Sequence, residues 1–170
     1  MIKNHAELLR SERQIQLHDT VDITRKIIEN AVSQGKLQNS DEQQIILNVR
    51  NILKKARYSK NNSGYFFIYN HQGTNIADAA NEKVQGVNRF NLKDKNGVLL
   101  IQELSKVSKA GGGFVNYVYP KPGTDKLLPK LSYAASIVGT DWFIGTGVYI
   151  NDIDNAVATF ADDVWQEVYE

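Results

Sequence analysis

The N-terminal part of the chain carries one long, uninterrupted helical pattern, which constrains the fold more than any other feature of the sequence. Residues 4–34 contain no glycine or proline. Gly35 comes next, and glycine suits the position just past a helix end. Apolar and small residues recur in the segment at spacings of three and four, which places them on one helix face: Leu17, Val21, Thr24, Ile28 and Ala31. We therefore predict a long N-terminal helix over residues 4–34.

A second helix is predicted directly after the first one. Residues 40–43 read Ser-Asp-Glu-Gln, which has the form of a capping box, so the helix should begin near Asp41. One of its sides is apolar: Ile45, Val49, Ile52, Leu53 and Ala56. A turn cluster at residues 61–64 follows it. We expect this helix over residues 41–57, within a helical region that spans residues 1–60.

Beyond residue 60 the pattern changes to short strands. Aromatic and β-branched residues predict five strands, at 65–69, 74–78, 114–119, 130–138 and 142–149. Short connections join the last three strands, which favours an antiparallel meander. A polar stretch at 79–95 predicts a long loop, and loops of this length are often binding loops. Asp94 is expected to cap a further helix at 97–109.

The C-terminal segment returns to a helical pattern. A stripe of apolar residues predicts a helix over residues 151–169, within a segment 151–170: Ile153, Val157, Phe160, Val164 and Val168. Five strands whose faces are covered by helices define an α+β domain, and we place its core at residues 61–150.

The composition excludes several classes of function. The chain has no cysteine, which excludes thiol catalysis, cysteinyl zinc sites and disulfides. Its net charge is +1 and it has no basic stripe, so nucleic-acid binding is not indicated. The three histidines share no metal-ligand spacing. The glycines at 111–113 follow a helix and precede a strand, the reverse of a phosphate-binding loop. We therefore predict no enzymatic activity, no cofactor and no metal.

Five residues on or beside the predicted strands are candidates for a small-molecule site. Tyr117 and Tyr119 share one face of their strand, because side chains alternate along a strand. Lys130 opens the following strand, Asp78 ends the second strand, and Phe67 lies in the middle of the first. An apolar floor with a few convergent polar groups is typical of a ligand pocket. The alternative is that the tyrosines are core residues with hydroxyls at the surface and that Lys130 is solvated.

Six short motifs follow one another between about residues 50 and 154. In order, they are Gly64-Tyr-Phe-Phe-Ile-Tyr69, Gly86-Val-Asn88, Gly113-Phe-Val-Asn-Tyr117, Pro120-Lys-Pro-Gly123, Pro129-Lys-Leu-Ser-Tyr133, and Gly145-Thr-Gly-Val-Tyr-Ile150 with Asp152. Each motif alone is weak, but the ordered set is specific. It resembles the single-Cache sensor family, which forms the extracytoplasmic part of bacterial chemoreceptors (methyl-accepting chemotaxis proteins) and sensor kinases.

The resemblance implies a PAS-like five-stranded antiparallel sheet, with a long N-terminal helix on one face and a ligand pocket on the other. By family analogy the pocket uses the first, third and fourth strands and the loop after the second. In this chain that means Phe67, Asp78, Tyr117, Tyr119 and Lys130. Family ligands are mostly short carboxylates such as acetate, propionate, lactate or pyruvate, and in some receptors urea.

The resemblance also implies a location and a mode of action. Such domains are periplasmic or extracellular parts of bacterial inner-membrane proteins. Their flanking helices continue into membrane spans, which this sequence does not contain, and they pair as homodimers through their N-terminal helices. Ligand binding shifts the flanking helices and biases a two-state receptor. The alternative is an interaction or dimerisation module whose pocket is filled by its own side chains.

One position departs from the family pattern. After the second strand many members read Leu-x-His-Pro, whereas this chain has Ile76-Ala-Asp-Ala79, so Asp78 stands where the histidine stands. A carboxylate accepts hydrogen bonds and repels an anion. If Asp78 pairs with Lys130, the site suits urea or a small amide. If Asp78 faces solvent or caps the loop, the commoner carboxylate ligands of the family remain the expectation.

Overall fold

The computed structural model describes residues 2–150 and 165–168. Its first element, α1, is one unbroken helix over Ile2–Leu37. The predicted stripe is buried, since Leu17, Val21 and Ile28 are at most 3% exposed. The long N-terminal helix is therefore confirmed, and it packs on the sheet through the predicted face.

The end of α1 differs from the prediction. Gly35 lies inside the last turn rather than beyond it, and the helix continues to Leu37. A Cβ at position 35 would stand 2.7 Å from Ile45 Cγ1. The glycine therefore serves the close approach of the next helix rather than the termination of α1.

The second helix, α2, spans Glu42–Lys55 and has Asp41 as its N-cap. The Asp41 side chain accepts the Gln44 N–H at 2.8 Å, and Gln44 Oε1 accepts the Asp41 N–H at 3.1 Å. The capping box thus begins one residue later than predicted. The reason is that Ser40 belongs to the turn that follows α1, where its N–H donates to the carbonyl of Gly35 at 2.9 Å.

Five antiparallel strands form one sheet: β1 (Phe66–Asn70), β2 (Asn75–Asp78), β3 (Gly113–Pro120), β4 (Leu127–Ile137) and β5 (Trp142–Tyr149). Their order is β2-β1-β5-β4-β3, so the last three strands form the predicted meander. β4 begins before residue 130 because Leu128 and Pro129 already pair with β3, and Lys130 therefore lies inside the strand rather than at its start. The α+β class with a PAS-like sheet is confirmed.

The sheet separates two cores. On one face, α1 and α2 cover side chains that include Phe66 and Ile68. On the other face, α3 (Leu100–Lys109) covers side chains that include Phe67 and Tyr69. The alternation of side chains along β1 produces this division, because successive residues point to opposite faces.

The connection from β2 to α3 runs over residues 79–99, and α3 begins later than predicted. Asp94 does not cap it. Asp94 Oδ1 accepts the N–H groups of Asn96 and Val98, and Oδ2 accepts the N–H of Val118, each at 2.9 Å. These bonds close a turn within the loop and fasten it to β3, so the carboxylate is not available to the helix.

The predicted C-terminal helix over residues 151–169 lies outside the described residues except for 165–168, which are helical. Two 3-10 turns, at Lys60–Asn62 and Glu82–Val84, lie in the connections before β1 and after β2. No helix in the described part of the chain is both long and apolar enough to cross a membrane.

Candidate ligand-binding site

A small cavity lies between the sheet and α3, and all five candidate residues from the sequence line it. The strand register brings them together, because Phe67 pairs with Asp78 and Tyr117 pairs with Lys130. Directly paired residues place their side chains on the same face of a sheet. The full lining is Tyr65, Phe67, Tyr69, Asp78, Leu100, Ile101, Leu104, Tyr117, Tyr119 and Lys130.

Lys130 is the central polar residue of the cavity and is only 1% exposed. Its Nζ donates a hydrogen bond to the Tyr65 hydroxyl at 2.9 Å. Burial lowers the pKa of Lys130 to about 7. The alternative of a solvated Lys130 is therefore wrong. Four ring centroids lie 4.5–5.5 Å from Nζ in a cation–π arrangement: those of Tyr65, Phe67, Tyr119 and Tyr149.

Asp78 lines the cavity and also closes the start of the loop. It is 4% exposed, and its Oδ1 accepts the N–H groups of Ala80 at 2.9 Å and Asn81 at 2.8 Å. Burial raises the pKa of Asp78, although these two backbone bonds oppose the rise. Among the described residues no direct ion pair joins Asp78 to Lys130. The two charges act on each other at longer range, because Asp78 favours the protonated form of Lys130.

The two tyrosines of β3 face the same side, as predicted. Their rings meet edge to face, with 6.1 Å between the centroids of Tyr117 and Tyr119. The Tyr117 hydroxyl is hydrogen-bonded to Ser132 Oγ at 2.8 Å inside the core. Burial raises the pKa of Tyr117 well above its ordinary value, so its hydroxyl stays protonated and neutral.

Two spaces adjoin each other at this site. The inner cavity has a volume of about 10 Å³, which is roughly the room that one water molecule needs. An outer cleft of about 530 Å³ lies between the long loop and the turn that joins β3 to β4. Tyr65, Asp78, Leu100 and Tyr119 line both spaces. The side chains of the site therefore fill most of the inner space, and an organic ligand requires some of them to move.

The sequence model of the family described as Single Cache domain 2 matches residues 9–163, which is most of the chain. This chain belongs to that family. The resemblance noted in the sequence is thereby confirmed, and the Cache domain described here is of the kind found in chemoreceptors and sensor histidine kinases.

A curated relative of this Cache domain is the sensor histidine kinase MctS of Rhizobium johnstonii. It is 38% identical over 114 residues, which cover 67% of this chain and 24% of that protein. The chain spans between 21% and 29% of the length of the curated relatives it matches.

Two solved structures are similar to this Cache domain in both sequence and fold. A methyl-accepting chemotaxis protein from Vibrio parahaemolyticus is 33% identical with a TM-score of 0.72, and the match covers 89% of this chain and 98% of that one. A Cache chemosensory domain that recognises carboxylic acid is 26% identical with a TM-score of 0.76, and the match covers 86% of this chain and 98% of that one.

One polar residue of the Cache site, Arg89, was not identified from the sequence. It lies half-buried in the long loop, and its Nη1 donates to the hydroxyls of Tyr69 and Tyr119 at 2.9 Å each. No ion pair joins Arg89 to a carboxylate of the described residues. The available signal was that Arg89 is the one arginine in the polar stretch 79–95.

Positive side chains outnumber negative ones around the two spaces of the Cache domain. The cationic residues are Arg89, Lys93, Lys95, Lys121 and Lys130, and the anionic residues are Asp78, Asp94 and Asp125. An excess of one sign of charge in a cleft attracts ligands of the opposite sign. The electrostatics of the site therefore favour an anion.

Proposed function

We propose that this domain senses a small monocarboxylate outside the cytoplasm and signals through its flanking helices, without catalysing a reaction. Acetate, propionate, lactate and pyruvate are the candidate ligands. The observation that carries the proposal is the buried Lys130, whose Nζ is surrounded by four aromatic rings and one tyrosine hydroxyl.

A buried cation without an adjacent anion is costly, and the lowered pKa of Lys130 reflects that cost. A ligand carboxylate beside Nζ supplies the missing anion. The hydroxyls of Tyr65 and Tyr117, which line the same cavity, offer hydrogen bonds to the carboxylate oxygens. Charge-assisted hydrogen bonds of this kind are about twice as strong as neutral ones.

The surroundings of Asp78 support a carboxylate over urea or a small amide. One of its oxygens is occupied by two backbone N–H groups, and Asp78 forms no direct ion pair with Lys130 among the described residues. Asp78 therefore does not occupy the position beside Lys130 Nζ that a ligand carboxylate would take. The related Cache domain that recognises carboxylic acid supports the same ligand class.

The signalling part of the proposal rests on α1. This helix packs on β4, the strand that carries Lys130, so a shift of β4 upon binding reaches α1 directly. Its outer side exposes the large apolar residues Leu8, Ile15, Ile23 and Ile27, which suit pairing with a second copy of the domain. In the full receptor we expect a homodimer anchored in the inner membrane, with this domain in the periplasm or outside the cell.

The test is a calorimetric titration of six compounds: acetate, propionate, lactate, pyruvate, urea and acetamide. At least one acid should bind the wild type. Lys130→Met keeps the apolar stem of the side chain and removes the charge. This variant should lower the affinity for that acid by roughly 30-fold or more. Lys126→Met removes an exposed lysine at the same end of β4 and should leave the affinity unchanged.

An interaction or dimerisation module is the second candidate function, and the small inner cavity of about 10 Å³ favours it. It predicts that none of the six compounds binds the folded domain or raises its melting temperature. Binding of an acid with equal affinity by wild type and Lys130→Met would also contradict our proposal, because it would place the acid elsewhere.

A further inference from the structure

The wall between the inner cavity and the outer cleft consists of the four residues that line both spaces. Three of them, Tyr65, Asp78 and Leu100, are at most 4% exposed and are held by the surrounding core. Tyr119 is only half-buried. Whatever holds the Tyr119 ring therefore decides whether the two spaces stay separate.

Arg89 holds the ring of Tyr119 by its hydroxyl. The same Nη1 donates to Tyr119 and to Tyr69, at 2.9 Å each. Tyr69 lies on β1 and Tyr119 on β3, and β5 and β4 separate these strands in the sheet. The guanidinium of Arg89 thus links a side chain of β1 to a side chain of β3 on the α3 side of the sheet. It thereby fixes the Tyr119 ring relative to β1.

The backbone of Arg89 is itself held in place by the turn between β1 and β2. Its N–H donates to the carbonyl of Gly73 at 2.8 Å, in the turn between β1 and β2. Gly73 has a φ of +96°, and a Cβ there would stand 2.5 Å from Phe90 Cβ, so turn and loop are in close contact. If the Tyr119 ring moves outward, the guanidinium of Arg89 has to give up its hydrogen bond to either Tyr119 or Tyr69.

We propose that Arg89 is a specificity-determining residue, which restricts the site at Lys130 to the shortest acids by holding the Tyr119 ring as a partition between cavity and cleft. The choice of acids as ligands rests on the proposed function. With the partition in place, an acid of two or three carbon atoms has to be accommodated by movement of the other residues that line the cavity. Each further CH₂ group has to displace Tyr119 to enter the cleft of about 530 Å³.

The first test is the chain-length profile of acetate, propionate, butyrate and pentanoate, measured by calorimetry. For the wild type, affinity should fall by about tenfold or more between propionate and pentanoate, because the longer chain overpacks the cavity. Tyr119→Phe removes the acceptor of the hydrogen bond between Arg89 and Tyr119, and Arg89→Gln removes its guanidinium donor. In both variants, affinity should instead rise with length, by up to about fourfold for each CH₂ that reaches the cleft.

Two matched controls accompany these variants. Tyr133→Phe removes a tyrosine hydroxyl on the α1 face, and Arg25→Gln removes a positive charge from α1; both should keep the wild-type profile. The readout is a ratio between acids, so a uniform loss of affinity caused by the missing charge of Arg89 does not affect it. Wild-type profiles in folded Tyr119→Phe and Arg89→Gln would overturn the inference.

A second test uses cyanate, which carbamoylates neutral amines, as a probe of access to Lys130. The rate at Lys130 is followed by peptide mass mapping at pH 8 and normalised to the exposed Lys126 in the same sample. Tyr119→Phe changes no charge, and it should raise the normalised rate several-fold over wild type and Tyr133→Phe. An unchanged rate would overturn the inference. A raised rate, with no acid bound by any variant, would refute the proposed function and leave the partition intact.

Discussion

The two faces of the sheet differ in what they bury. Among the described residues, the core under α1 and α2 has seventeen members, three of them aromatic, whereas the core under α3 has ten, five of them aromatic. The two buried charged residues of the described chain, Asp78 and Lys130, line the cavity on the α3 face. One face is therefore a packing surface, and the other combines packing with the two buried charged groups that we propose recognise a polar ligand.

In our proposal, one face of the sheet stabilises the fold and the other face also binds the ligand. A buried lysine is an energetic cost that a packing surface would not carry, and functional sites commonly depart from the rules that favour stability. β4 connects the two faces, because Lys130 lies on the α3 side and its neighbour Leu131 belongs to the core under α1. A ligand at Lys130 is thus one residue away from the contact surface of the N-terminal helix.

The largest effect on stability is expected on the α1 face. Ile28 is fully buried, so Ile28→Ala should lower the free energy of unfolding by about 2–5 kcal/mol, as measured by urea denaturation. The neighbouring Ile27 is 51% exposed, and Ile27→Ala should cost less than about 0.5 kcal/mol. Equal losses in the two variants would contradict the assignment of the packing face.

Lys130→Met should have the opposite effect, because it replaces a buried charge by an apolar side chain of similar shape. The expected direction of the effect follows from the pH dependence of the free energy of unfolding. The folded-state pKa of about 7 lies below the ordinary lysine value of 10.5, so between these values the unfolded state binds more protons. Wild-type stability should therefore rise with pH from 7 to 9, by at most ~1.4 kcal/mol per pH unit.

Urea denaturation of both proteins at pH 7, 8 and 9 measures this effect. The difference in unfolding free energy, wild type minus Lys130→Met, should increase across the series, because the variant lacks the titrating amine. A constant difference would mean that Lys130 keeps an ordinary pKa in the folded domain.

The variant Asp78→Asn tests which class of ligand binds on the α3 face. The Asn oxygen can still accept the backbone N–H groups of the loop, so the fold should be retained. Loss of the negative charge should leave the affinity for acetate or propionate unchanged or improve it. The affinity for urea or acetamide should instead fall by about tenfold, because a charge-assisted acceptor becomes a neutral one. A loss of affinity for urea or acetamide, with acid affinity kept or improved, would assign the site to the amide class, whereas a loss of acid affinity would contradict the carboxylate assignment.

The smallest effect on the folded domain is expected at the outer side of α1. Ile23 is 62% exposed, so Ile23→Lys should change the free energy of unfolding by less than about 0.5 kcal/mol. It should nevertheless weaken self-association, which sedimentation velocity at several concentrations measures. If this variant lost ligand binding but kept its self-association, the assignment of pairing to α1 and of ligand binding to the α3 face would be contradicted.

Much of the fold could be predicted from the sequence because its signals are local. The stripe around Val21 and Ile28 marks α1, and the alternation around Tyr117 marks a two-sided strand. The misplaced boundaries have non-local causes. Asp94 bonds to Val118 across the loop, and Gly35 makes room for Ile45 on another helix.

The candidate site was predicted in part. Pairing of Phe67 with Asp78 and of Tyr117 with Lys130 brings together residues that strand alternation could indicate. The complete burial of Lys130 could not be deduced, because it depends on α3 and on rings from three strands. Arg89 was missed because its position depends on contacts between the loop and the β1–β2 turn, which have no periodic pattern in the sequence.

The most direct test of the account is proton uptake upon ligand binding. In the free domain at pH 8, Lys130 is mostly neutral because of its pKa of about 7. A carboxylate placed beside Nζ raises this pKa, so acetate or propionate should bind with uptake of a fraction of a proton. Calorimetry in two buffers of different ionisation enthalpy measures that fraction, and any residual binding by Lys130→Met should occur without it. Once urea denaturation has shown the lowered pKa of Lys130, binding of the acid by the wild type with no proton uptake would contradict the claim that Lys130 receives the carboxylate.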